Sequence, residues 1–242
     1  RRGVPEIRNC GEELTNAMVE FYTQSQKHFT PDIQPHYIYS PRELTRWKHA
    51  INESIESMNS VDDLVRLWAH EALRLFQDRL VLKEEKEWCD KLVDSVANDS
   101  FKGITSNALV RPILFTNLTT QKYISCDPLE LKNNIEGKLK NFYEEELNVP
   151  LVIFDDVLEH ILRIDRVLKQ PIGHLLLVGS SGVGKTTLSR FVAWMNNLTV
   201  FQIKAGRNYS VEDFDNDLRA IMKRSGCKGE KVCFIFDESN VL

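Results

Sequence analysis

The sequence predicts an α/β protein in which a helical N-terminal half is followed by a truncated parallel-sheet half. From Glu12 to Val96, apolar residues recur at helical spacing, which is typical of amphipathic helices. Later in the chain, three apolar, β-prone runs at 174–178, 199–203 and 231–236 alternate with helical patterns. That alternation is typical of a parallel sheet whose strands are joined by helices.

The helical patterns can be placed in order along the chain. We expect helices over Glu12–Phe29, from Pro41 onward, and over Val61–Leu80, Glu84–Val96, Leu129–Leu147, Asp156–Leu168 and Glu212–Arg224, with another that begins near Lys185. The stretch from Ser100 to Asp127 is the least periodic, and we expect it to connect two domains.

The helix that starts at Pro41 carries an unusual arginine. Ser40 can cap it, Pro41 suits its first position and Glu43 completes a capping box. Arg42 then lies in the first turn, where the helix dipole disfavours a cation. A residue set against its local preference is a candidate functional residue, so Arg42 is a candidate to face an anion such as a γ-phosphate. The alternative is a solvated arginine or one paired with an acid.

A glycine-rich segment, GSSGVGKT, separates the first apolar run from the helix near Lys185. It matches G-x-x-x-x-G-K-[ST], the P-loop pattern. Glycines let successive N–H groups turn toward phosphate oxygens, and the helix N-terminus adds its positive dipole end. We expect Lys185 to reach the β- and γ-phosphates and Thr186 to hold Mg²⁺. The expected nucleotide-binding residues of this segment are Gly179, Ser180, Ser181, Gly182, Val183, Gly184, Lys185, Thr186 and Thr187.

Two acids, Asp237 and Glu238, follow the last apolar run. Ligands bind at the carboxyl ends of buried parallel strands. We expect Asp237 to hold Mg²⁺ and Glu238 to polarise the attacking water as general base, with Lys185 as the other catalytic residue. Alone, this pair could equally be a solvated turn. Cys233, inside the same run, is interpreted as a core residue rather than a ligand.

A second segment is a candidate for the wall of an adenine site. Val149, Pro150, Leu151 and Val152 form a stiff apolar elbow before the Asp156–Leu168 helix. An apolar loop upstream of a P-loop strand can contact an adenine ring, and simple packing is the alternative.

Other features exclude several classes of protein. The absence of Asn-Lys-x-Asp and Asp-x-x-Gly motifs argues against a Ras-like GTPase, and the absence of Leu-Ser-Gly-Gly-Gln argues against a transporter ATPase. The net charge of −4 gives no electrostatic signal for binding nucleic acid or an anionic membrane.

Five cysteines without a Cys-x-x-Cys pair indicate free thiols in a reducing compartment. No apolar run reaches membrane-spanning length and no signal peptide is visible, so we expect a soluble cytosolic protein. The chain starts at Arg1 and stops soon after Glu238, which we interpret as a segment of a longer protein.

Several stretches together resemble the motor region of the dynein heavy chain family. They are Pro35–Arg46 (PHYIYSPRELTR), Leu67–Leu80 (LWAHEALRLFQDRL), Phe142–Val152 (FYEEELNVPLV), His160–Arg166 (HILRIDR), Gly179–Asn196 and Phe234–Leu242 (FIFDESNVL). The order resembles the helical lid of one AAA+ module followed by the large domain of the next, around the third and fourth modules. The Ser-Pro-Arg-Glu form of the lid motif is similar to cytoplasmic rather than axonemal dyneins.

The resemblance implies specific roles. Residues 1–125 would be the lid subdomain of the third module, with Arg42 as its sensor-2 arginine. Residues 126–242 would be the N-terminal part of the large P-loop subdomain of the fourth, which would bind ATP or ADP with Mg²⁺. The family's partners would be microtubules, reached through a coiled-coil stalk elsewhere in the chain, the other modules of the ring and accessory chains.

The leading hypothesis is therefore a regulatory ATPase segment of a microtubule motor that is cytoplasmic and associated with the cytoskeleton. The isolated segment is expected to hydrolyse ATP negligibly, because the first sensor and the arginine supplied by another module lie outside it. A second hypothesis treats the fourth site as structural, with nucleotide tightly held and little turnover. A third, a free-standing P-loop ATPase or kinase, leaves the helical half unexplained.

Overall fold

The computed structural model describes residues 4–120, 122–146, 151–170, 173–203, 205–206 and 208–237. The chain divides into two compact units, Arg1–Pro128 and Leu129–Leu242. Val149, Pro150 and Glu238, which were assigned roles above, lie outside the described residues.

The first unit is mainly helical. Its helices are α1 (Pro5–Asn9), α2 (Gly11–His28), α3 (Pro41–Ser54), α4 (Val61–Ala72) and α5 (Lys83–Ser100), with short 3₁₀ turns at Ile55–Ser57 and Ser106–Leu109. A wider, π-type turn at Leu73–Gln77 continues α4. Two short strands, β1 (Phe115–Thr116) and β2 (Ile124–Ser125), pair antiparallel.

Four aromatic side chains form the centre of this unit. Phe21, Trp47, Trp68 and Phe76 are each fully buried. The Phe21 ring meets the other three edge-on, with centroid separations of 5.7, 6.1 and 5.2 Å. Edge-to-face pairs contribute about 0.5–1.5 kcal/mol each beyond the area they bury. The aromatic stripes of the sequence are therefore core, as the periodicity predicts.

The stretch from Ser100 to Asp127 is not a linker, which corrects the prediction. Phe101, Ile113 and Phe115 are buried in the core of the first unit. The Arg66 guanidinium of α4 donates to the carbonyl oxygens of Ala108, Val110 and Pro112 at 3.2, 2.9 and 2.9 Å. These bonds satisfy backbone groups that no helix or sheet provides for, so an aperiodic segment can still pack.

The second unit contains the remaining elements. They are α6 (Pro128–Glu146), α7 (Asp155–Lys169), α8 (Lys185–Met195), β3 (Thr199–Gln202), α9 (Val211–Met222) and β4 (Val232–Ile235), with a π-type turn at Lys223–Cys227 after α9. β3 and β4 are parallel, and Thr199 pairs with Val232. The predicted class, a helical lid followed by a truncated P-loop domain with a parallel sheet, is confirmed.

One predicted strand is wrong. Residues 174–178 form no ladder with the described strands. Leu176 and Val178 are 86% and 87% exposed. A strand exists only through hydrogen bonds to a neighbour, and in the described part of the chain β3 and β4 pair with each other alone. Residues 174–178 therefore form no strand with the described part of the chain. None of the described helices combines the length and apolarity needed to cross a bilayer.

Candidate nucleotide-binding site

The glycine-rich loop connects residues 174–178 to α8, and two of its residues are left-handed. Gly182 and Gly184 have φ of 82° and 84°. An L-residue at such angles costs about 1–2 kcal/mol, so the turn depends on glycine. Gly184 is the N-cap of α8, which places the loop at the positive end of the helix dipole. Ser180, Ser181 and Val183 are exposed on the loop.

The Lys185 side chain folds back over its own loop. Its Nζ donates to the carbonyl oxygens of Gly179 and Ser180 at 2.7 and 2.8 Å. Three hydrogens are available on an ammonium group, so one remains for a further acceptor. The Lys185 ammonium therefore lies beside the glycines of the loop. A bound phosphate would take the place of one of these carbonyl oxygens or add a further acceptor.

The structure brings Thr186 and Asp237 together. The Thr186 hydroxyl, in the first turn of α8, donates to Oδ2 of Asp237, which lies two residues after β4. These side chains are 51 residues apart in the sequence. Hydroxyl and carboxylate oxygens are the hard ligands that Mg²⁺ takes in nucleotide sites, where phosphates and water complete its octahedron. The donor set therefore fits the metal that the sequence predicts. Thr187 is half-buried on α8, and no contact singles it out.

Part of the expected adenine wall is described. Leu151 lies against the loop, since its Cδ2 would be 3.8 Å from a β-carbon on Gly184. The next side chain, Val152, is 74% exposed. The Leu151 side chain therefore borders the loop at its last glycine.

The helix behind the loop is fixed by contacts that sequence reasoning missed. The buried carboxylate of Asp165 on α7 accepts from Asn196 Nδ2 at 2.8 Å and from Lys169 Nζ at 2.7 Å. Asn196 is the C-cap of α8, so Asp165 ties α7 to the end of the helix that carries Lys185. The sequence signal that could have identified Asp165 is the presence of an acid among the apolar positions of α7.

Cys233 in β4 is partly buried. Burial raises the pKa of its thiol, which disfavours the thiolate that binds metals. All five cysteines are free, as the sequence predicts.

Arg42 belongs to the first unit, where its surroundings can be compared with the prediction. It is exposed, and no described residue accepts a hydrogen bond from its guanidinium. The capping box is confirmed: Ser40 N–H and Oγ donate to Glu43 Oε2 at 2.8 and 2.9 Å. Burial raises the pKa of Glu43, but the Ser40 bonds and the nearby Arg79 outweigh it, so the pKa is lowered overall.

Arg79 also contacts this capping box, and the sequence did not predict that contact. It donates to Ile38 O at 2.9 Å, lies 3.5 Å from Glu43 Oε1 and stacks over the Tyr39 ring at 4.8 Å. The turn that presents Arg42 is therefore held by Arg79 and the capping box, while Arg42 itself is exposed.

A loop of this shape at the start of a helix, beside a parallel strand that ends in a carboxylate, places the chain among P-loop proteins. Two family models match it: "Dynein heavy chain, ATPase lid domain" over residues 2–86 and "P-loop containing dynein motor region D4" over residues 149–242. The chain belongs to the dynein heavy chain family, and the part matched is the motor region.

Similar proteins agree with these matches. Cytoplasmic dynein heavy chains of Paramecium tetraurelia, Dictyostelium discoideum and Drosophila melanogaster are 69%, 60% and 59% identical to it over 241, 241 and 244 residues. The alignments cover 100%, 99% and 100% of this chain and 5% of each relative. The chain thus spans about 5% of the length of these relatives. The resemblance inferred from the sequence is confirmed, and the free-standing kinase gains no support.

Proposed function

We propose that the second unit binds Mg²⁺–ATP or Mg²⁺–ADP and acts as a regulatory nucleotide site in a microtubule motor ATPase. The contact between Thr186 and Asp237 at the mouth of the loop is the main support. It pairs a hydroxyl with a carboxylate where a metal–phosphate group would lie. The matched family model for motor region D4 agrees with the fourth position in a ring of modules.

In this proposal each residue acts on a separate part of the nucleotide. The N–H groups of Gly179–Thr187 surround the phosphates, and Lys185 exchanges a backbone carbonyl for a phosphate oxygen. Thr186 and Asp237 would hold the metal, and bound Mg²⁺ would supply charge neutralisation at the phosphates. Leu151 and Val152, with Val149 and Pro150, contact the base. Glu238, directly after Asp237, orients the attacking water.

The first unit would serve a different site. Its lid fold and outward Arg42 support a sensor role toward nucleotide bound by the preceding module, because an exposed cation on a rigid turn can contact a γ-phosphate. Microtubules, the other modules and accessory chains would be engaged by the rest of the heavy chain.

The binding claim can be tested in the intact heavy chain by hydrogen–deuterium exchange with mass spectrometry. Exchange in the peptide that covers the loop and α8 is titrated with Mg²⁺–ATP, which isolates this site from others. We expect Lys185→Ala to weaken the affinity for Mg²⁺–ATP, read from this titration, about 10- to 100-fold. A hydrogen bond to a charged group contributes about 1.5–3 kcal/mol. Lys223→Ala, an exposed lysine beyond α9, is the matched control and should leave the titration unchanged.

The variant Glu238→Gln distinguishes a regulatory site that hydrolyses ATP from a structural site that only holds nucleotide. If the site hydrolyses ATP, the variant keeps nucleotide protection but slows ATP-driven release of the motor from microtubules. If the nucleotide is only held, both properties stay at the wild-type level. Unchanged protection in Lys185→Ala would contradict the binding proposal itself.

A further inference from the structure

One side chain outside the loop, Tyr143, forms hydrogen bonds with the backbone of Leu151. Tyr143 lies on α6, eight residues before Leu151 in the sequence. Its hydroxyl accepts a hydrogen bond from Leu151 N–H and lies 3.5 Å from Leu151 O, to which it donates. A single phenol therefore serves both backbone groups of one residue.

Leu151 needs such a partner because it belongs to no helix or strand. Among the described residues, no backbone group bonds to its N–H or carbonyl. Unpaired backbone groups favour water or another conformation. The Tyr143 hydroxyl thus pairs both backbone groups of a residue in an irregular segment, and the next side chain, Val152, is 74% exposed.

Tyr143 is itself fixed relative to the loop. Its neighbour Phe142 meets Phe191 and Trp194 of α8 edge-on, with ring centroids 5.3 and 5.6 Å away. The Trp194 indole N–H donates to Glu145 Oε2 at 2.7 Å. α6 and α8 are therefore joined on both sides of Tyr143. The hydroxyl that holds Leu151 has a set position relative to the helix that begins at Lys185.

We infer that Tyr143 is a positioning residue for base recognition: it holds Leu151 and Val152 where an adenine ring can lie on them. This inference rests on the proposed function, because it assigns a role toward the nucleotide bound at the loop. It predicts that the hydroxyl affects the nucleoside part of the ligand and leaves phosphate binding alone.

The test compares Tyr143→Phe with wild type in the intact heavy chain, using two probes, Mg²⁺–ATP and inorganic tripolyphosphate, which lacks the nucleoside. Protection of the loop peptide against hydrogen exchange reports both affinities at this site. We expect Tyr143→Phe to lose about five- to tenfold in ATP affinity, about the effect of one hydrogen bond, and less than about twofold for tripolyphosphate. A second readout needs no ligand: exchange of the Leu151 amide should accelerate in Tyr143→Phe while α6 and α8 keep their protection.

Tyr209→Phe is the matched control. Tyr209 lies in the same unit, and its hydroxyl also bonds to a residue eight positions away, Asp217. It should leave both affinities unchanged. Equal losses for ATP and tripolyphosphate in Tyr143→Phe, or an unchanged ATP affinity, would overturn the inference while leaving the proposed function intact. If neither probe protects the wild-type loop, the proposed function fails and the inference fails with it.

Discussion

The three glycines of the loop allow backbone strain to be separated from steric space. Gly182 and Gly184 have positive φ, whereas Gly179 does not. A β-carbon would find room at each: the nearest atoms would be 3.7 Å away at Gly179 and 3.8 Å at Gly184, with none within 4 Å at Gly182. Alanine would therefore fit at all three positions, and the substitutions differ in whether alanine must adopt a positive φ.

The expected cost follows from two opposing effects. An L-residue in the left-handed region costs about 1–2 kcal/mol. Replacing glycine by alanine returns about 0.4–1 kcal/mol by restricting the unfolded chain. Taking the middle of each range, Gly184→Ala should lower the local free energy of unfolding by about 0.8 kcal/mol. Gly179→Ala has only the second effect and should be neutral or stabilising by up to about 1 kcal/mol.

Native-state hydrogen exchange of the α8 amides, without nucleotide, measures these differences where they arise. We expect α8 to exchange faster in Gly184→Ala and no faster in Gly179→Ala than in wild type. Equal destabilisation by both substitutions, or none by Gly184→Ala, would refute the assignment of strain to the left-handed glycine.

Two further predictions concern the first unit. Because the folded pKa of Glu43 is lowered, its carboxylate stabilises the fold above the ordinary value of 4.5, and this contribution is lost as the pH falls through the folded pKa. Exchange of α3 amides in Glu43→Gln should accordingly be faster than wild type at pH 7, with the difference shrinking in acid; a constant difference would contradict the charge argument. Arg66→Ala removes the donor to Ala108, Val110 and Pro112 and should destabilise the unit by about 2–4 kcal/mol, measured by exchange of the α4 amides. The exposed Arg46 offers a control, and Arg46→Ala should stay within about 0.5 kcal/mol of wild type.

Local signals predicted much of this fold. Apolar periodicity located α2, α5, α6 and α7 to within a few residues, and the Ser40–Glu43 box located the start of α3. These features arise from neighbours in sequence, such as caps and helix faces, which a single chain displays directly.

Features that depend on distant partners were missed. Residues 174–178 have strand composition but no described strand beside them, so composition alone misplaced a strand. Arg79 lies 36 residues from Glu43, and nothing in the local pattern joins the two. Likewise, Arg66 reaches backbone carbonyls more than 40 residues away, which turned an expected linker into part of a core.

In the candidate site, too, local features were predicted from the sequence and some other contacts were not. The loop pattern defines its own conformation, because glycine placement and the following helix are local. Thr186 and Asp237 were each expected to hold Mg²⁺, and the structure brings the two side chains into contact. The retention of Lys185 on the carbonyl oxygens of Gly179 and Ser180 has no sequence signature. The roles of Glu238, Val149 and Pro150 stay predictions.

A high-resolution structure of the intact heavy chain with saturating Mg²⁺–ADP would show whether the loop binds nucleotide. We expect the N–H groups of the loop to enclose the phosphates, and Mg²⁺ to lie about 2.0–2.1 Å from Thr186 Oγ1. We also expect Lys185 Nζ to move from the carbonyl oxygens of Gly179 and Ser180 to a phosphate oxygen. A loop that excludes nucleotide under these conditions, with Lys185 still on both carbonyl oxygens, would contradict the proposed nucleotide site.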